Sequence, residues 1–83
     1  MTPTRPEIYG ELTEILRDVL LIPDLELYPE MTAKDVPGWD SLKQIAILLS
    51  IEQRWGLRLH VKDFEGIANV GGLVELVASR IAK

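Results

Sequence analysis

The sequence predicts an all-α fold: a small four-helix bundle with a long loop between the first and second helices and a short third helix. Three observations predict it. Three segments repeat apolar residues at helical spacing. A proline-broken stretch at residues 22–39 separates the first two of them. The one alternating run, Leu57-Arg58-Leu59-His60-Val61, has no second strand to pair with. Eighty-three residues form one domain, spanning 1–83, and 47% hydrophobic content is enough for a core.

The first helix is expected over about residues 5–21. Thr4-x-x-Glu7 reads as a capping box with Pro6 in the first turn. Ile8, Leu12, Ile15, Leu16, Val19 and Leu20 recur along one face, while Glu7, Glu11, Glu14 and Asp18 lie off it as a solvated face. Pro23 prevents the helix from passing Ile22. The loop that follows has Pro23, Pro29, Pro37 and Gly38 and no period. Its Leu25, Leu27, Tyr28, Met31 and Val36 are too apolar for a free linker, so it should lie across the bundle with room for one helical turn.

The second helix is expected over about residues 41–55, ended by Gly56. It carries two apolar stripes: Ile47, Leu48, Ile51 and Trp55 on one side, and Leu42, Ile45, Ala46 and Leu49 on roughly the other. A chain this short can hardly surround a helix, so the second stripe reads as a partner-binding surface. A short helix should occupy about 62–66, with His60 in the connector before it or at its start. The last should run over about 70–82, capped by Asn69, with Val70, Leu73, Val74, Val77 and Ile81 inward and a first turn softened by Gly71 and Gly72.

Composition excludes much chemistry. With no cysteine and one histidine there is no disulfide, thiolate nucleophile or metal-ligand spacing, so no metal is expected. The net charge of −4 divides unevenly: residues 1–40 hold nine acids against three bases, and residues 41–83 hold six bases against four acids. No basic stripe or aromatic series suits nucleic acid. No signal peptide or membrane span is evident, which makes a cytoplasmic protein the default expectation, and a monomer is expected. A nucleophile elbow, a phosphate loop and paired buried carboxylates are all missing, so the chain reads as non-enzymatic, with no catalytic residue.

Attention therefore falls on Gly38-Trp39-Asp40-Ser41-Leu42, where the loop becomes the second helix. Helix N-termini present free N–H groups and a positive dipole end, which favour an anion. Ser41 can be a plain cap, since Ser41-x-x-Gln44 fits a capping box. Asp40 is an equally good cap, and if it serves, the Ser41 hydroxyl is free to point outward. Local physics alone favours the plain cap.

The run Asp35-Val36-Pro37-Gly38-Trp39-Asp40-Ser41-Leu42, followed by Ile45, Ile47-Leu48, Ile51-Glu52 and Trp55-Gly56, resembles the acyl carrier protein family. The resemblance continues through Gly56-Leu57-Arg58-Leu59 and Ile67-Ala68-Asn69-Val70, and so covers nearly the whole chain. It implies that Ser41, between Asp40 and Leu42, receives 4'-phosphopantetheine from coenzyme A through a phosphopantetheinyl transferase. The arm's thiol would then hold an acyl group as a thioester and present it to acyl-activating, acyl-transferring and condensing enzymes of fatty acid, lipid or polyketide-type biosynthesis. It implies further that the acyl chain folds back between the second and third helices, with Ile47, Leu48, Ile51, Leu59, Phe64 and Ile67 as candidate lining residues.

The second helix departs from the family's usual acidic character. Its charges are Lys43, Glu52 and Arg54, and Ala46 stands where an acid is common. The expectation is a specialised carrier whose partners read Lys43, Ile45, Ala46 and Leu49, together with Leu42, largely by apolar contact. An aminoacyl or peptidyl carrier would use the same arm, and an unmodified helical adaptor is the alternative from another class.

Overall fold

A computed structural model describes residues 3–81. It contains four α-helices, α1 (Arg5–Leu20), α2 (Ser41–Trp55), α3 (Val61–Glu65) and α4 (Val70–Ile81), with a 3-10 turn at Ala33–Asp35 in the long loop and no strand among the described residues. The all-α bundle is as the periodicity predicts.

α1 starts with the expected box: Thr4 Oγ1 accepts the Glu7 N–H, and Glu7 Oε1 accepts the Thr4 N–H at 2.8 Å. Ile8, Leu12, Ile15, Leu16 and Leu20 are its buried face. The helix ends one residue before the expected boundary. Leu21 is left-handed at φ 59°, and its N–H caps the Arg17 carbonyl. Pro23 explains this, because it disfavours the helical region for Ile22 and the chain must turn before it. The Arg17 side chain then donates to the Leu25 carbonyl at 2.8 Å and pins the start of the loop.

The loop does lie across the bundle, with Met31 and Val36 buried in the same core as α1, α2 and α4. What holds it is the otherwise unsatisfied first turn of α4. Val70 N–H donates to the Met31 carbonyl at 2.8 Å and Gly71 N–H to the Pro29 carbonyl at 2.9 Å, while Asn69 Oδ1 caps the Gly72 N–H at 2.9 Å. Gly71 suits this closeness, since a Cβ there would stand 3.1 Å from the Pro29 carbonyl oxygen and 3.2 Å from its Cβ, tighter than nearly all such contacts. The glycine that looked like a soft spot in the helix is the place where the loop docks.

Two glycine substitutions should therefore separate cleanly by thermal or urea denaturation. Gly71→Ala should destabilise by about 1–3 kcal/mol, because backbone must shift to admit the methyl. Gly10→Ala, in mid-α1 with nothing within 4 Å of the new Cβ, should stabilise by about 0.5–1 kcal/mol.

α2 packs its Ile47, Leu48 and Ile51 into the core, and α1 packs against both α2 and α4. Gly56, left-handed at φ 65°, ends α2. The alternating run beyond it is a connector: Glu52 Oε2 accepts the Leu59 N–H at 3.0 Å, and Arg80 donates to the Arg58 carbonyl at 3.1 Å. α3 spans 61–65, against the expected 62–66, because His60 takes the capping position and Asp63 Oδ2 accepts the His60 N–H at 2.9 Å. That N–H, and the Arg80 guanidinium at 2.9 Å, hold the Asp63 carboxyl below its ordinary pKa despite some desolvation. Of the expected last helix, the final position, 82, lies outside the described residues.

Candidate functional site

At the start of α2 the two possible caps are resolved. Asp40 is in extended conformation, and its Oδ1 accepts the Lys43 N–H at 3.0 Å. Ser41 is consequently the first helical residue, exposed, with no hydrogen bond from its hydroxyl among the described residues. The Ser41–Gln44 box does not form. Gln44 Oε1 instead accepts the indole N–H of Trp39, folding the half-buried Trp39 ring back toward the first turn of α2.

Several other hydroxyls are engaged locally. Thr13 donates to the Tyr9 carbonyl, Ser79 to the Leu76 carbonyl and Thr32 to Asp35, while Thr4 Oγ1 caps α1. Ser41 thus joins an accessible hydroxyl to a helix N-terminus, where an added negative group meets free N–H groups and the positive dipole end.

Beside Ser41, between α2 and α3, a groove of 260 Å³ is lined by Ser41, Gln44, Ile45, Leu48, Val61, Phe64 and Glu65. Its lining is mainly apolar, with Ser41, Gln44 and Glu65 as the polar members. Adjoining it through Gln44 and Phe64 is a small, part-open chamber of 50 Å³ lined by Met31, Trp39, Ile67, Asn69, Val70 and Leu73, among others. Chemically, the arrangement can hold an apolar chain that is tethered at Ser41. Among the described residues no cluster of His, Cys, Asp and Glu could hold a metal ion.

The residues singled out in the sequence distribute as follows. Leu42, Ile45 and Leu49 are exposed, Leu42 at 77%, and Lys43 and Ala46 are half-buried. Leu48 and Phe64 line the groove and Ile67 the chamber. Ile47, Ile51 and Leu59 are buried in the core and line neither cavity. Ile45 has a double position, exposed on the outer face yet forming one edge of the groove.

The sequence reading missed Gln44, Val61 and Glu65 as groove residues. A signal for Gln44 existed, since it lies three residues after Ser41 and so on the same helix face. Val61 and Glu65 carried none, because their placement depends on how α3 crosses α2.

The chain matches the family described as "Phosphopantetheine attachment site" over residues 10–77. It is 28% identical over 79 residues to an acyl carrier protein of Acidothermus cellulolyticus, covering 95% of this chain and 94% of that one. It is 31% identical over 77 residues to the meromycolate extension acyl carrier protein of Mycolicibacterium smegmatis, covering 93% and 78% respectively. Among solved structures it is similar to the holo acyl carrier protein of Geobacter metallireducens, with a TM-score of 0.84 and 29% identity over 90% of this chain and 86% of that one.

Proposed function

Because the chain belongs to the phosphopantetheine attachment-site family, that of the acyl carrier proteins, we propose that Ser41 is where its arm is attached. The protein is an acyl carrier bearing covalent 4'-phosphopantetheine, and a carrier rather than a catalyst. One observation supports Ser41 above all: Asp40 takes over the capping role and leaves the Ser41 hydroxyl exposed at the mouth of an apolar groove. Asp40 then orders the turn that presents the serine, and Leu42 flanks it.

The test is direct. Incubation with coenzyme A and a broad phosphopantetheinyl transferase, followed by intact-mass measurement, should show one added arm per chain. A chain whose mass never changes would sink the reading.

The arm supplies a thiol that this cysteine-free chain lacks, and that thiol carries the acyl group as a thioester. The protein's own residues supply shelter. Ile45, Leu48, Val61 and Phe64 offer an apolar trough that starts beside the attachment hydroxyl, so an acyl tail laid there leaves water while the thioester stays near the rim. Of the lining expected from sequence, Leu48 and Phe64 are in that trough and Ile67 is in the chamber adjoining it. Ile47, Ile51 and Leu59 support it from the core.

Partner choice follows from the outer face of α2. Glu52 is committed to the Leu59 N–H, and Arg54 pairs with Glu11 at 3.2 Å and Glu14 at 3.7 Å on α1. The first turns therefore present Leu42, Ile45, Ala46 and Leu49 with Lys43 as the one charge among them. The transferase and the acyl-handling enzymes of this monomeric, cytoplasmic carrier dock on that face by apolar contact, and the pathway is a specialised one. Affinity for such a partner should change little between low and physiological salt, since contacts without charge are scarcely screened. Titration by calorimetry at several salt concentrations checks this, and a steep loss would point to charged docking instead.

A further inference from the structure

Groove and chamber share two residues, Gln44 and Phe64, so the two cavities adjoin at these side chains, which we take as the partition between them. Phe64 is only 5% exposed and stands on the five-residue α3. Gln44 is held differently. An indole nitrogen can only donate, so the Gln44 atom facing Trp39 must be its oxygen, and the amide is fixed in orientation. Trp39 itself walls the chamber. Two other residues of the chamber, Met31 and Val70, are tied to each other by a backbone hydrogen bond, and Gly71 ties α4 to Pro29 beside them.

We infer that the Trp39–Gln44 hydrogen bond is a latch that sets how long an acyl chain this carrier can shelter without rearrangement. Latched, the partition confines cargo to the 260 Å³ groove, a volume at the small end for ligand sites. A longer linear apolar chain parts Gln44 from Trp39 and enters the space bounded by Met31, Ile67, Val70 and Leu73. The latch residues are Trp39 and Gln44, and Phe64 moves with the chain. This rests on the reading of Ser41 as the attachment site and extends it to cargo length.

The test uses the ¹⁵N-labelled carrier bearing its arm, loaded in turn with butyryl, octanoyl and hexadecanoyl groups. Loading is verified by intact mass. The Trp39 indole N–H signal, distinguished from that of Trp55 by Trp39→Phe, reports the latch. It should stay at its arm-only position with butyryl and be displaced with hexadecanoyl. In Gln44→Ala, the Ile67 and Leu73 methyl signals should respond to octanoyl as they do in the parent protein only to hexadecanoyl. Alanine is a strong helix former at this partly exposed position, so the variant folds.

A Trp39 signal that is identical in all three loaded forms overturns the latch and leaves the carrier reading standing. So does a Gln44→Ala variant with the parent's chain-length response. Failure of the arm to add overturns both.

Discussion

Ser41→Ala is expected to abolish arm addition completely while leaving the protein as stable as before. The lost hydroxyl makes no hydrogen bond among the described residues and is exposed, and alanine is well suited to a first helical position. Such surface changes stay within about 0.5 kcal/mol, which for a chain of this size moves Tm by no more than about 4 °C. Asp40→Ala should show the converse. It removes the cap on the Lys43 N–H, costing about 0.5–2 kcal/mol, yet retains the attachment oxygen, so the arm still adds. Intact mass with coenzyme A and transferase, beside a thermal melt, reads both variants. A Ser41→Ala protein that still gains the arm's mass would move the attachment to another hydroxyl. An Asp40→Ala protein with unchanged Tm would mean that Ser41 caps after all, and the separation of roles between the two neighbours would fall.

That separation was half legible in the sequence. Two adjacent residues of capping type announce a helix start, but which one caps depends on a backbone torsion that no side-chain pattern encodes. The apolar periods of α1, α2 and α4 were legible because burial imposes them directly. The loop was legible only as being too apolar to be free. Its attachment to α4 depends on carbonyls of Pro29 and Met31, and backbone atoms leave no trace in residue type. Gly71 was visible but misread, since a glycine in a helix looks like weakness until the carbonyl beside it is seen.

The groove shows the same limit. Periodicity tells which residues of α2 point inward, but whether an inward residue meets core or cavity is decided by the partner helix. Ile47 and Ile51 meet core, whereas Leu48, on the same stripe, meets the gap beside α3. Gln44 was read only as a capping-box partner and Trp39 only as a neighbour of Ser41, because their joint role is pairwise. Neither residue alone signals a partition; a donor-only ring placed on a side-chain amide does.

The two faces of α2 make the strongest stability prediction, because they can be probed two residues apart with the same substitution. Ile47 is fully buried in the core, so Ile47→Ala removes a packed side chain and leaves a cavity, costing about 2–5 kcal/mol. Total stability for 83 residues is about 4–12 kcal/mol, so that loss consumes a large share and lowers Tm by roughly 10 °C or more. Ile45 is 47% exposed, and Ile45→Ala exchanges a β-branched residue for the best helix former. Its Tm should move by only about 2–4 °C in either direction. The order reverses for docking. Ile45 sits at the centre of the outer apolar stripe, and truncating a central interface side chain costs about 1–2 kcal/mol or more, a loss of roughly 5- to 30-fold in affinity for the transferase. Measured at a temperature where both variants are folded, Ile47→Ala should bind as the parent does, since its side chain never reaches the surface. If Ile45→Ala binds undiminished, the outer stripe is not the docking face, and the uncommon lack of acid on α2 needs another explanation. If instead both variants lose affinity together, the two stripes are not independent, and packing beneath the face governs how it is read.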